Sequence, residues 1–177
     1  MRDASGALWK LVHTGTPLGL VVYSDYSQRD DLLTELELLA PNGIRVLRAA
    51  TLDEAQQEPT ALVLLTPPDE GSLVLELDGR REQFVDRQVP ILLFLLRGGS
   101  GLERLKEAPG LASWLSGSEV DPERLQNIDV EAETQVFVGR TGKTPREWLS
   151  AYEEGTLPET FENILLTHRA RLLGGGP

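Results

Sequence analysis

VPILLFLL, residues 89–96, is the longest apolar run in the chain, and its reading decides the rest. It is far too short to cross a bilayer as a helix. A strand that is apolar at every position, not at every second one, is covered on both faces, as in the middle of a parallel sheet. Gly98, Gly99 and Gly101 stop the run, and LERLKEA (102–108) reads as a short helix. On the other side, a helix is predicted from Asp69 to Asp86. Its second half, REQFVDR, is helical in pattern, whereas SLVLELDG (72–79) fits helix or strand, with Gly79 against the helix.

The same pattern repeats toward the N-terminus. ALVLLTP (61–67), third in chain order, is likewise a buried strand, stopped by Pro67 and Pro68, and IRVLRAA (44–50) is the second strand. Thr51–Glu58 allows one or two helical turns. LGLVVYS (18–24) opens the series and is followed by a helix over Gln28–Leu39. There Leu32, Leu33, Leu36 and Leu39 fall at helical spacing among Asp30, Asp31, Glu35 and Glu37. Ser27 or Asp25 caps its start, and Pro41, Asn42 and Gly43 end it. Strand and helix thus alternate four times. The expected fold is α/β: a three-layer sandwich with a mainly parallel, Rossmann-like sheet of about five strands. TQVFVG (134–139) is the expected fifth strand.

Residues 1–177 are expected to form a single α/β domain, with 109–177 as a C-terminal extension packed on the core. In that extension PGLASWLSG (109–117) is an apolar knot and EVDPERLQ (119–126) a polar turn or short helix. A helix starting at Pro145, capped by Thr144, ends near Gly155. A last helix spans Pro158–Leu173, with Phe161, Ile164, Leu165 and Leu172 apolar, before a frayed GGGP tail.

Composition narrows the chemistry. The formal net charge is −11, from 28 acidic and 17 basic residues. A nucleic-acid or anionic-membrane partner would need a local basic patch, and none stands out. There are no cysteines, so disulfides, thiolate nucleophiles and cysteine zinc sites are excluded. The two histidines, His13 and His168, offer little for a metal site or imidazole catalysis. No signal-peptide core opens the chain, and the expectation is a cytoplasmic protein.

VFVGRTGKTPREWL (136–149) has the outward order of a phosphate loop: apolar run, Gly-rich turn, Gly-Lys-Thr, helix. The motif requires a further glycine five residues before the Gly-Lys pair, where Phe137 stands. Pro145 also removes an amide donor from the helix start. The stretch therefore reads as a strand-to-helix turn. In an α/β fold the phosphate loop belongs after the first strand, where YSDYSQRDDLL (23–33) has neither glycine nor lysine. Asp69 and Glu70 end ALVLLTPPDE like the acids of an ATPase strand, but with two prolines between, and they read as helix-starting acids. No G-x-S-x-G elbow is present, and GGSG (98–101) lacks the spacing. A receiver-like module would need an aspartate at the end of the third strand, where Thr66 stands. VVYSDYSQRDDLLTELE (21–37) has the cadence of a TIR first strand and helix, which keeps a nucleotide or NAD hydrolase, TIR-like or of atypical P-loop type, as the alternative.

One stretch goes beyond a generic α/β pattern. Leu77, Arg80, Arg81 and Glu82, then Val89, Pro90 and the run to Leu96, then Ala108, Pro109, Ser113, Trp114, Ser116 and Gly117, follow one another as in the nucleotide-binding domain of the STAND class of bacterial signal-transducing P-loop NTPases. The match covers about a third of the chain. Ala112 stands for the usual aromatic before the serine, and Leu115 for the usual arginine after the tryptophan. Because the phosphate loop is missing, the chain resembles inactive STAND-like domains. That resemblance implies a non-catalytic protein-interaction domain, an adaptor or sensor in bacterial signalling or defence, with no cofactor and no catalytic or metal-binding residues. The partner expected is another protein.

Ligand crevices in open α/β sheets lie outside the carboxyl ends of the strands. Tyr23, Asp25 and Tyr26 sit at the first such end and Arg97 at the fourth. These four are the candidate interaction surface. Trp114 is expected to pack on the sheet edge, as large aromatics usually do.

Overall fold

The computed structural model describes residues 4–38, 40, 43–125 and 129–175. The expected apolar position Leu39, the helix stop at Pro41 and Asn42, the end of EVDPERLQ at Gln126, and Gly176 and Pro177 of the tail lie outside the described residues, as does the Phe161 side chain. The chain divides into two compact units, Leu11–Glu123 and a second made of Met1–Lys10 with Arg124–Pro177.

The first unit is the expected α/β layer structure. Its strands are β1 (Leu18–Tyr23), β2 (Val46–Ala49), β3 (Leu62–Leu65), β4 (Ile91–Leu96) and β5 (Glu119–Val120). They form one sheet in the order β2-β3-β4-β1-β5, with every pairing parallel. β1 and β4 pair along their full length, Leu18 opposite Ile91 through Tyr23 opposite Leu96. The helices between them are α2 (Tyr26–Leu38), α3 (Leu52–Gln56), α4 (Glu70–Arg80, continued by a tighter turn over Arg81–Phe84), α5 (Ser100–Leu105) and α6 (Pro109–Leu115).

The continuous apolar runs explain this arrangement. Along β1, Leu18, Leu20 and Val22 join Val63, Leu65, Ile91, Leu93 and Leu95 in one cluster. That cluster is closed by Leu52 and Ala55 of α3, by Leu73, Val74 and Leu77 of α4, and by Leu111 and Leu115 of α6. The intervening Val21, Leu62, Leu64, Leu92 and Phe94 point the other way and are equally buried, as strands covered on both faces must be. SLVLELDG is therefore helix. Asp69 caps α4 by accepting from the Ser72 N–H at 3.1 Å. The apolar knot after Pro109 is α6, and Trp114 lies half-buried against the main cluster.

The fifth strand is not where the sequence put it. Residues 134–139 lie inside a helix, α7 (Val130–Thr141), and β5 is the two-residue Glu119–Val120, within a stretch read as a polar turn or short helix. The physical reason is local. Asp129 accepts the Ala132 N–H at 3.2 Å, Glu131 and Glu133 fill the first turn, and Gly142 closes the helix at φ 72°. A complete set of start and stop groups outweighs the strand preference of Val136, Phe137 and Val138. Of these three only Phe137 is buried, so no strand face is being covered.

The second unit is helical. The N-terminal helix α1 (Ala4–His13), which the sequence reading did not assign, crosses the division between units. After α7 come α8 (Pro145–Glu153) and α9 (Phe161–Ala170), which continues into an irregular turn over Arg171–Gly175. The 136–149 stretch is thus a helix-to-helix turn, not a strand-to-helix one. Thr144 caps α8 as expected and adds a reciprocal bond. Its hydroxyl accepts the Glu147 N–H at 3.2 Å, and the Glu147 carboxylate accepts the Thr144 N–H at 2.9 Å. The unit's core is Phe137, Trp148, Ala170 and Leu173. His168 is buried, its ring tilted against Trp9 at 6.4 Å. Among the described residues no helix is long and apolar enough to cross a membrane.

Candidate functional site

From β1 the chain travels past β4 and β3 to the far edge β2, then returns strand by strand. From β4 it passes β1 to reach β5. The connections that leave β1 and β4 therefore run in opposite directions, and a crevice opens between their carboxyl ends. A cleft of about 350 Å³ lies there, lined by Tyr23, Tyr26, Arg29, Pro67, Pro68, Asp69, Glu70, Leu96, Gly99 and Ser100.

Tyr23 and Tyr26 share this cleft. Their rings lie 6.0 Å apart, and the Arg29 guanidinium sits 4.8 Å from the Tyr26 centroid and 5.8 Å from that of Tyr23. Tyr26 is 59% exposed and Tyr23 only 1%. The Tyr23 hydroxyl donates to Glu70 Oε2 at 2.5 Å, while Glu70 Oε1 accepts the Leu96 N–H at 2.8 Å. Glu70 thus ties the end of β1 to the end of β4. Gly101 permits its approach, since a β-carbon there would lie 2.9 Å from the Glu70 Cβ and 2.6 Å from a Leu95 methyl. Gly98, at φ 72°, turns the chain out of β4. The GGSG stretch is accordingly a packing device.

The other two predicted residues serve the backbone and a neighbouring strand end. Asp25, not Ser27, caps α2: it accepts the Gln28 N–H at 2.8 Å on its side chain and the Arg29 N–H at 3.1 Å on its carbonyl. Ser27 lies inside the helix. Gln28 folds back so that its Oε1 accepts the Ser24 N–H at 2.7 Å. Arg97 donates to Asp121, which follows β5, and turns from the cleft toward that strand. Asp121 is almost wholly buried and also accepts the Glu123 N–H at 3.0 Å. Of the four residues named from the sequence, Tyr23 and Tyr26 line this cleft, and Arg29 and the inward-turned Glu70 line it as well without having been singled out. Asp69 does what was expected of it, since its bonds to Ser72 hold its carboxyl below the usual range.

Burial pushes the Tyr23 phenol well above its ordinary value near 10, and the hydrogen bond to Glu70 and the charge of that carboxylate push it further. A phenol whose folded value is raised contributes stability that is fully present below the unfolded value and is lost as pH rises beyond it. The protein is therefore expected to lose stability above about pH 10. Tyr23→Phe should flatten that alkaline slope and remove one late step from the tyrosinate absorbance titration. An unchanged slope in the variant would contradict the assignment.

Among the described residues no group of three or more His, Asp or Glu side chains is placed to hold a metal ion. Comparison with protein-family models, with curated proteins and with solved structures gave no significant match to this chain.

Proposed function

We propose that the chain is a non-catalytic interaction module, an adaptor or sensor in a bacterial signalling or defence system. Its α/β core resembles that of STAND NTPases and lacks their phosphate-binding loop. The observation that carries this reading is the turn between β1 and α2. β1 ends at Tyr23 and α2 begins at Tyr26, leaving only Ser24 and Asp25 between them. A phosphate loop needs a longer, glycine-rich segment whose amides converge on the ligand. Here the amide of Ser24 in the turn and that of Gln28 at the start of α2 are already bonded within the chain, the second to a carboxylate. Asp25 in the turn, and Asp69 and Glu70 beside Arg29 in the cleft lining, also carry negative charge where a nucleotide would bring more. The sheet is retained while the phosphate chemistry is replaced by side-chain bonds. In this reading the protein is cytoplasmic and acts on another protein, since a formal charge of −11 opposes contact with a nucleic-acid backbone.

The test is calorimetric titration of ATP, GTP and NAD into the protein, with and without magnesium. The proposal expects no saturable heat at millimolar ligand. Saturable binding near micromolar concentration would overturn it in favour of a nucleotide or NAD hydrolase.

A further inference from the structure

A second cavity, of about 160 Å³, lies in the helical unit. Its walls repeat one pattern on two helices. α7 contributes Glu133, Val136, Phe137 and Arg140, and α9 contributes Glu162, Leu165, Leu166 and Arg169. Each set reads acid, apolar, apolar, base at spacings of three, one and three residues, which places all four on one helix face. The two helices are joined crosswise, with Arg140 on Glu162 at 2.7 Å and Arg169 on Glu133 at 4.0 Å. These pairs close the two ends of an apolar floor made by Val136, Phe137, Leu165 and Leu166. The third wall is α1, where Gly6 and Lys10 stand one turn apart.

Charge gives this cavity a direction. Its three cations face two carboxylates, a positive balance in a chain of net charge −11. Arg140 and Arg169 are engaged by those carboxylates. Lys10 is exposed and has no ion pair among those of the described residues. A cavity with an apolar floor, a charged rim and one convergent unpaired cation fits a small ligand that has an apolar body and one negative group. The volume is about half the lower bound for a drug-sized site, which limits the body to a short chain or single ring.

We infer that the helical unit binds a short aliphatic or aromatic monocarboxylate, its hydrocarbon on Phe137, Leu165 and Leu166 and its carboxylate on Lys10. This site is independent of the β1–β4 cleft, and nucleotide binding at that cleft would leave it standing.

Hexanoate and benzoate are the probes, with hexanol and hexylamine as neutral and cationic counterparts, titrated into the full chain and followed by amide and methyl NMR shifts. Saturable shifts confined to α1, α7 and α9 are expected for the two carboxylates at low millimolar concentration. Lys10→Gln, an exposed change that leaves the fold intact, should weaken them about tenfold. Leu165→Phe, which fills the floor, should abolish them while Lys10 is still present. Absence of saturation by either carboxylate would overturn the inference. So would equal binding of hexanol and hexanoate, or undiminished binding by the Lys10→Gln protein.

Discussion

Replacing Arg87 with methionine is expected to cost about 3–5 kcal/mol of stability, the figure for leaving two or more buried acceptors bare. Arg87 is 7% exposed and its guanidinium fans out to four backbone carbonyls. Its Nε donates to Val89 O at 3.0 Å, Nη1 to Glu58 O at 3.1 Å and Ala55 O at 3.4 Å, and Nη2 to Ala61 O at 2.6 Å. Those carbonyls belong to the end of α3, the approach to β3 and the approach to β4. One side chain therefore fixes where three elements start or stop. Burial pulls the guanidinium below its ordinary value, yet arginine keeps its proton in proteins, so the contacts remain charge-assisted. Methionine fills much of the volume but supplies no donor. Arg87→Lys should recover part of the loss, since an ammonium donates without reaching all four oxygens in a planar fork. Urea denaturation of the three proteins checks the order. A loss under about 1 kcal/mol for Arg87→Met would contradict the role assigned here.

Trp148→Ala is the second large effect, about 3–5 kcal/mol, the usual range for emptying a buried tryptophan site. Trp148 is the largest member of the helical unit's core. It meets Phe137 edge to face with ring centroids 5.8 Å apart, and its indole N–H donates to Thr167 Oγ1 at 3.0 Å. The Thr167 hydroxyl in turn donates to Asn163 O at 2.7 Å. Trp148→Phe keeps most of the apolar contact and leaves Thr167 its bond to Asn163, so it should cost well under half as much. Thermal unfolding followed by circular dichroism separates the two. Equal losses for Ala and Phe would show that the hydrogen bond, not the packing, dominates.

The sheet was legible because its information is local and redundant. VPILLFLL, ALVLLTP and LGLVVYS are apolar at successive positions, and only burial on both faces accounts for that. β5 carried no such signal: two residues, Glu119 and Val120, cannot show a period. α7 misled because Val136, Phe137 and Val138 favour strands, while the deciding groups, Asp129 and Gly142, lie at its two ends. The candidate site divided in the same way. Tyr23 and Tyr26 were named by the rule that crevices open at strand ends, and both line the cleft there. Arg97 obeyed the same rule, but its direction depended on Asp121, a residue behind the unassigned strand. Glu70 looked like any acid at a helix start. Its turn toward Tyr23 depends on the absence of a side chain at Gly101, a contact between residues far apart in sequence.

The central claim is that the turn after β1 is closed to phosphate by the chain's own bonds. It is tested most directly by amide NMR of Ser24 through Gln28 during titration with magnesium-ATP. The account predicts that these amides stay in place at millimolar nucleotide, with the Ser24 and Gln28 signals held by the Gln28 and Asp25 side chains. A saturable shift centred on these residues would contradict it and identify the turn as a nucleotide site.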